Sequence, residues 1–436
     1  MIKRILYTLL IMFPVVASAQ INTDRVMAIG RNALYFEDYV LSIQYFNQVI
    51  NAKPYLSDPY FYRGLAKINL DDFQGAESDC SEAIERNPFV VSAYQVRGLA
   101  RIQQNNFAGA IEDYTKALEF APENIGVWHN MALCRIRQED YKGAKNDLDK
   151  LIAISPRYTK AYLMRGEVDL KQKDTLAAEK DFGKAIEIDR YDADTWASRA
   201  ILRLQQQRYK DAEADFDHAI RLSTRNSGVY INRALARYHQ NNLRGAMSDY
   251  DIALDIDPNN FIGHYNRGLL RAQVGDDNRA IQDFNFVIEM EPDNMMAIFN
   301  RGLLLDQTGD YKGAIKDYST VINEYPNFLL GYQYRAQARR KIGDVKGADA
   351  DEFKVLKAQL DKQNGVDPNK QTADNTENNK TRKKSDKNMN NYRKIVVADN
   401  EEGEEKYKSD YRGRVQDKNV NIVPQPMFVL TYYEKH

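Results

Sequence analysis

The sequence predicts an all-α solenoid of about ten helical hairpins, followed by a disordered linker and a short strand-like C-terminal tail. Three observations support this: a period of 34 residues, small residues at two fixed positions of each period, and a polar stretch after residue 362. A strict period of this length is typical of helical hairpins that stack because each is too small to fold alone. The period is marked by Pro54, Pro88, Pro122, Pro156, Pro258, Pro292 and Pro326.

Ten units follow one another when this period is counted from Thr23. Position 8 of each unit is always glycine or alanine, and position 20 is alanine in every unit except the first, which has Ser42. Positions 4 and 24 are mostly aromatic. Small residues let two helices approach closely, and the aromatic side chains fill the space beside them. Each unit is therefore predicted to be a helix, a turn and a second helix, which the proline ends.

These residues resemble the tetratricopeptide repeat, which has Trp or Tyr at position 4, Gly or Ala at 8, Ala at 20 and 27, Phe or Tyr at 24, and Pro at 32. The resemblance extends from Thr23 to about residue 362 without an insertion. It implies a right-handed superhelical solenoid that binds proteins on the inner surface formed by the first helices. The predicted organisation is a signal peptide at 1–19, the array at 20–362, a disordered linker at 363–391 and the tail at 392–436.

The signal peptide is predicted from the order of its parts. Basic residues at positions 3 and 4 precede an apolar run at 5–16, and small residues then allow cleavage between Ala19 and Gln20. An uncleaved membrane anchor is the alternative. The leader and the array together indicate a periplasmic or otherwise exported bacterial protein with no membrane span after cleavage.

Composition argues against several classes of function. The net charge of −1 provides no strong field for nucleic acid. The five histidines occupy unrelated repeat positions, and no Gly-rich phosphate loop is present. The two cysteines, Cys80 and Cys134, are expected to be buried and unpaired. We therefore expect no catalytic residue, no metal and no cofactor. A hydrolase based on a carboxylate pair is the one catalytic alternative left open.

Opposite charges recur with the period. Arginine occupies position 7 in eight units and aspartate occupies position 23 in nine. Because a guanidinium matches a carboxylate, we predict pairs between the two helices of each hairpin. The alternative is a row of arginines that binds a ligand. The residues are Arg63, Arg97, Arg165, Arg199, Arg233, Arg267, Arg301, Arg335, Asp79, Asp113, Asp147, Asp181, Asp215, Asp249, Asp283, Asp317 and Asp351.

Position 5 of the first helices supplies the candidate partner-binding groove. This position lies on the inner surface that the family resemblance implies. Its side chains are largely apolar or aromatic, which suits an extended or helical peptide. The candidate residues are Phe61, Gln95, His129, Leu163, Ile231, Tyr265, Phe299 and Gln333.

Two runs beyond the array are rich in β-branched and aromatic residues, at 394–398 and 426–433. They are too short for a core of their own, so we predict that the tail docks either in this chain's groove or on the edge of a partner's sheet. A sticky disordered end is the alternative. The candidate docking residues are Met427, Phe428, Leu430, Tyr432 and Tyr433.

The leading functional hypothesis is a non-enzymatic scaffold or adaptor of the bacterial cell envelope that binds a segment of a partner protein of the envelope in the groove. A structural subunit of an outer-membrane or secretion assembly is the second hypothesis. A carbohydrate- or peptidoglycan-binding protein is the third, and only the aromatic residues at position 5 support it.

Overall fold

The computed structural model describes residues 22–222, 225–363, 389–396 and 398. Within these residues the chain forms ten helical hairpins, one for each predicted unit, and no strand. We number them repeats 1 to 10. They fall into two compact units, the first ending at Asp181 and the second beginning at Phe182. The all-α repeat fold predicted from the period is therefore confirmed.

The first unit contains repeats 1 to 4 and the first helix of repeat 5. Helix α10 contains the boundary between the units. The helices are α1 Thr23–Tyr35, α2 Tyr39–Ala52, α3 Asp58–Asn69, α4 Phe73–Arg86, α5 Val91–Gln103, α6 Phe107–Phe120, α7 Ile125–Arg137, α8 Tyr141–Ile154, α9 Thr159–Lys171 and α10 Thr175–Ile188.

The second unit contains repeats 6 to 10 and a short C-terminal segment with a 3₁₀ turn at Met389–Asn391. The helices are α11 Ala193–Gln205, α12 Tyr209–Arg221, α13 Ser227–His239, α14 Leu243–Ile256, α15 Phe261–Gln273, α16 Asp277–Met290, α17 Met295–Thr308, α18 Tyr311–Glu324, α19 Leu329–Lys341 and α20 Val345–Gln363.

The turn within each hairpin has the same geometry throughout. The residue at position 15 has a positive φ in all ten repeats, with values from 59° at Asp71 to 92° at Gly309. The next residue often caps the second helix: Asp72 Oδ1 accepts a hydrogen bond from the amide of Gly75 at 2.9 Å. A left-handed residue followed by a side-chain cap reverses the chain and satisfies an otherwise unpaired helix-terminal N–H.

The small residue at position 8 allows the two helices of a hairpin to come close. A Cβ atom added to Gly98 would lie only 2.8 Å from the ring of Tyr114, and one added to Gly302 would lie 2.9 Å from the ring of Tyr318. Both tyrosines are fully buried at position 24. In these two repeats the absence of a side chain at position 8 thus makes room for the aromatic ring at position 24.

The C-terminal segment differs from the predicted strand. Lys394, Ile395, Val396 and Ala398 have no regular secondary structure. Side-chain amides bind the backbone of Val396 and Ala398 as a neighbouring strand would otherwise do. The described C-terminal residues begin at Met389, within the range predicted as linker. The second strand-like run, with Met427, Phe428, Leu430, Tyr432 and Tyr433, lies outside the described residues.

Two further sequence features are accounted for. Cys80 and Cys134 are both buried free thiols. Among the described residues, none of the helices combines the length and the apolar character that a membrane crossing requires.

Candidate functional site

The most informative surface of the second unit is the one that binds the chain's own segment 389–398. It is formed by the first helices of repeats 7, 8 and 9, which are α13, α15 and α17. Each of these helices has an asparagine at position 6 of its repeat: Asn232, Asn266 and Asn300. We call this surface the docking face.

Two of these asparagines each bind both backbone groups of one residue. Asn266 donates from Nδ2 to the carbonyl oxygen of Val396 at 2.7 Å and accepts the Val396 N–H at 2.8 Å. Asn232 does the same for Ala398, at 2.9 and 3.0 Å. A carboxamide has one donor and one acceptor side, so it matches an extended peptide unit as a neighbouring strand would.

The third asparagine holds the segment further towards its N-terminus. Asn300 donates through Nδ2 to the carbonyl oxygen of Tyr392, and the hydroxyl of Tyr265 donates to the same oxygen at 2.9 Å. The segment then turns, with the Tyr392 N–H donating to the carbonyl of Met389 at 3.2 Å.

Apolar contacts accompany these hydrogen bonds. Met389 is 4% exposed and belongs to the cluster that contains Phe299, while the Tyr392 ring lies edge-on to Phe299 with centroids 4.8 Å apart. Ala398 is 3% exposed, in the cluster of Ile231, Leu270 and their neighbours. The segment is therefore bound by both backbone recognition and burial.

The spacing of the docking face follows from the repeat. Asn232 and Asn266 occupy the same position in adjacent repeats, and they bind residues 398 and 396, which are two apart. In an extended chain residues i and i+2 present their backbone groups on the same side. The segment runs opposite to the repeat order, from repeat 9 at Met389 to repeat 7 at Ala398.

The predicted groove residues divide between the two units. In the second unit, Tyr265 and Phe299 contact the docked segment and Ile231 lies in the cluster that encloses Ala398. Because helix packing and this segment cover them, none of the three is an open groove surface. Gln333 is partly exposed in repeat 10.

In the first unit the same repeat position is mostly internal. Phe61 and Leu163 are each 8% exposed and pack among the repeats, and His129 is 1% exposed, with its Nδ1 3.3 Å from the Tyr158 hydroxyl. Gln95 is partly exposed. The expectation that position 5 displays an apolar surface does not hold for the three buried residues, because neighbouring helices cover them.

Sequence reasoning missed the asparagines at position 6. Repeat 4 also has one, Asn130, which is 7% exposed; its Oδ1 is buried and has no hydrogen-bond partner. The available signal was asparagine at one position in three consecutive repeats. It was weak because asparagine is also frequent in the turns and caps of this chain.

The charged residues form what we call the arginine–aspartate ladder. All eight position-7 arginines bind the aspartate sixteen residues later in their own hairpin. Arg301, for example, donates to the two oxygens of Asp317 at 2.8 and 2.7 Å. These guanidiniums pair within the array and are not presented to a ligand. The other pairs are Arg63–Asp79, Arg97–Asp113, Arg165–Asp181, Arg199–Asp215, Arg233–Asp249, Arg267–Asp283 and Arg335–Asp351.

The ladder also joins neighbouring repeats. Arg301 donates its third bond to Asn285 of the preceding repeat at 2.9 Å, and Arg233 similarly reaches Asp217 at 2.7 Å. Repeat 4 departs from this pattern because Met131 occupies position 7. Its aspartate, Asp147, is bound instead by Arg135 at 2.7 Å.

This departure changes the electrostatics. Burial raises the pKa of Asp147 to about 6. Arg135 is the one arginine that acts in the opposite direction and lowers it. Asp283 in repeat 8 is equally buried, and burial also acts to raise its pKa. Hydrogen bonds from His264 and Arg267 outweigh burial there and hold the pKa below its usual value.

The groups of the docking face are suited to binding a peptide backbone. Within the residues described, no group of three or more histidine, cysteine or acidic side chains could hold a metal ion. The hydrogen-bonding groups of the docking face are neutral amides and a hydroxyl, and they are directed at peptide backbone.

Models of the tetratricopeptide repeat match residues 91–124, 125–158, 159–192, 198–261 and 265–327. These ranges cover just over half of the chain, and the first three coincide with repeats 3, 4 and 5. The chain belongs to the tetratricopeptide-repeat family. Proteins of this family are generally scaffolds for protein–protein interaction, and the fold is typically non-catalytic.

Solved structures of repeat proteins are similar at low identity. The C-terminal part of a repeat-containing protein from Cytophaga hutchinsonii is 18% identical, with a TM-score of 0.46, over 54% of this chain and 97% of that one. A repeat protein from Parabacteroides merdae is 21% identical, with a TM-score of 0.45, over 57% and 98%. PilF of Pseudomonas aeruginosa is 20% identical, with a TM-score of 0.40, over 46% and 92%. No curated protein sequence matches this chain.

Proposed function

We propose that this chain is a non-enzymatic scaffold of the bacterial cell envelope that binds an extended segment of a partner protein on the docking face. The supporting observation is the paired hydrogen bonding of Val396 and Ala398 by Asn266 and Asn232. A surface that binds one extended segment through its backbone offers the same groups to any segment of compatible shape.

The energetics are consistent with a specific but exchangeable complex. Each neutral hydrogen bond contributes about 0.5–1.5 kcal/mol net. Burying a large apolar side chain adds about 1.5–3 kcal/mol. Ordering the bound segment costs roughly 1–2 kcal/mol per residue, so the affinity of a short segment is moderate.

The envelope location rests on the predicted leader at residues 1–19. Mass spectrometry of the protein recovered from a periplasmic fraction of the native bacterium tests it, since cleavage before Gln20 gives a defined N-terminal peptide. Recovery of an uncleaved chain from the cytoplasm would contradict this part of the proposal.

Partner binding is tested by site-specific photo-crosslinking in intact cells. A photoreactive residue replaces Gln307, which is exposed beside the docking face, and in a control it replaces Gln103 at the same repeat position of the first unit. The proposal expects a defined protein adduct at position 307 that is lost in the double variant Asn232→Ala, Asn266→Ala. The Asn130→Ala variant should retain it.

An adduct that survives the double variant would contradict binding through these asparagines. An adduct at position 103 but none at 307 would place partner binding in the first unit and would also contradict the proposal.

A further inference from the structure

The docked segment shows what kind of ligand the docking face accepts. At residues 396 and 398 both backbone groups are bound, so proline is excluded at these two positions. At four positions, burial of the side chain against the docking face restricts which residue can bind. Ala398 is 3% exposed, in the cluster that contains Ile231 and Leu270, which leaves room only for a small residue.

The N-terminal half of the docked segment is recognised through two large side chains, those of Met389 and Tyr392. The Tyr392 ring packs edge-on to Phe299, and two groups bind its carbonyl oxygen. Met389 is 4% exposed in the same cluster. Val396 packs, partly buried, against this cluster as well. The docking face therefore selects a sequence pattern: a long apolar residue as at Met389, an aromatic residue three positions later as at Tyr392, a β-branched residue four positions after that as at Val396, and a small residue two positions further on as at Ala398.

Two of the positions between these are open: Arg393 and Lys394 are exposed, so larger or polar side chains fit there and add little to selection. Ile395 is partly buried and packs against the cluster that contains Leu204 and Leu235. It also lines two cavities beside the segment, one of about 400 Å³ next to Leu303 and one of about 340 Å³ next to His239. Apolar side chains of different sizes therefore fit at position 395.

We infer that the partner segment carries this same pattern, and that residues 389–398 are the chain's own competitor for it. This inference rests on the proposed function. Residues 364–388 join the segment to the last repeat, and a chain of this length can span at most roughly 90 Å. A covalent link of this length gives an effective concentration of up to roughly the millimolar range, so a free segment of equal intrinsic affinity binds poorly. Only a partner with a better-fitting segment, or with further contacts, displaces the chain's own copy.

The test uses the full-length chain and a fluorescent peptide of residues 387–400, with binding measured by anisotropy. The double substitution Val396→Pro, Ala398→Pro in the protein removes both N–H donors of its own segment and leaves every repeat unchanged. The matched control is Lys394→Ala, an exposed position of the same segment.

We expect the peptide to bind the Val396→Pro, Ala398→Pro protein at least ~10-fold more tightly than the wild type or the control. Adding Asn232→Ala and Asn266→Ala to the undocked protein should abolish that binding. A peptide with Ala398→Trp should lose at least ~10-fold in affinity, whereas one with Lys394→Ala should not.

The outcomes separate the two proposals. Equal affinity for the wild type and the undocked protein would overturn self-competition and leave the proposed function standing. No binding to the undocked protein would overturn both. Unchanged affinity of the Ala398→Trp peptide would overturn the pattern. If light scattering finds a wild-type dimer that dissociates in the undocked variant, the segment binds a second copy, which overturns competition within one chain.

Discussion

Repeat 4 of the first unit and repeats 7 to 9 of the second contain the same asparagine in different settings. Asn232, Asn266 and Asn300 lie in consecutive repeats and bind a peptide backbone. Asn130 has no asparagine at this position in either adjacent repeat, where Val96 and Met164 stand, and its Oδ1 is buried without a partner. Repetition of the amide in adjacent repeats, rather than the amide itself, distinguishes the docking face.

The ladder shows the same contrast. Asp283 in repeat 8 is bound by His264, by Arg267 at position 7 and by Arg271 at position 11. Asp147 in repeat 4 is bound by Arg135 at position 11 and has no arginine at position 7. Both carboxylates are almost fully buried. Burial raises the pKa of Asp113 and Asp249 as well, although each pairs with two arginines, so the hydrogen bond from His264 is what distinguishes Asp283. Asp147, which lacks the position-7 arginine, has its pKa raised to about 6.

The largest expected effect is that of Asp283→Asn. This substitution leaves Arg267 and Arg271 without their shared carboxylate in a buried setting, which should lower the local free energy of unfolding by about 3 kcal/mol. The matched substitution Asp147→Asn should cost about 1 kcal/mol or less, since burial disfavours the charged form there and fewer ion pairs offset it. Hydrogen exchange measured on peptides from α16 and α8 gives each local stability.

Equal costs at the two sites would contradict this comparison. It would mean that Arg271 and the hydrogen bond from His264 do not further stabilise the charged form of Asp283. Far-UV circular dichroism of both variants serves as the control that the repeats remain helical.

The next effect concerns the asparagines. Asn266→Ala removes both hydrogen bonds to Val396 and should destabilise docking of the segment by about 2 kcal/mol, at about 1 kcal/mol per bond. The amide of Ala398 should then exchange at least ~10-fold faster. Asn130→Ala deletes a buried acceptor that has no partner, so it should be neutral or slightly stabilising. A clear loss of stability on Asn130→Ala would show that this amide has a structural role.

How much of this was predictable depends on how local the interaction is. The hairpins follow from the 34-residue period because the small residue at position 8 meets the position-24 side chain of its own repeat, as Gly98 meets Tyr114 and Gly64 meets Cys80. The pairing of Arg301 with Asp317 is likewise contained in one hairpin, and the two charges are evident in the sequence.

The docking face could not be found in this way. Asn232 and Ala398 are 166 residues apart, and no periodicity links the tail to the array. Position 6 is asparagine in only four repeats, so it does not stand out from the capping asparagines. Sequence reasoning predicted docking through Met427, Phe428, Leu430, Tyr432 and Tyr433, which lie outside the described residues. The docking of residues 389–398 was not predicted, because its register and binding residues depend on tertiary packing.

A smaller effect is expected from Met131→Arg, which would give repeat 4 the arginine that eight other repeats have. Met131 already lies against Thr115 of the preceding repeat, with Thr115 Oγ1 4.0 Å from its sulfur, so a guanidinium there can reach both that hydroxyl and Asp147. We expect a gain of about 1.5 kcal/mol in the local stability of repeat 4 at pH 7.5, measured by hydrogen exchange of α8. Met131→Leu is the matched control and should give no such gain.

The smallest effect is the pH dependence that Asp147 gives to the wild-type protein. Its pKa is about 6 in the folded chain, against 3.8 ordinarily, so the folded state binds the proton more tightly than the unfolded state. The local free energy of unfolding of repeat 4 should therefore decrease as the pH rises through 6, by about 1 kcal/mol between pH 5 and 7.5. Repeat 8 should not weaken over this range, because the pKa of Asp283 is shifted down and its contribution is lost only in acid. Local stability of α8 and α16 at the two pH values, after correction for intrinsic exchange rates, checks both signs. A pH response of α8 that survives Asp147→Asn would assign it to another group.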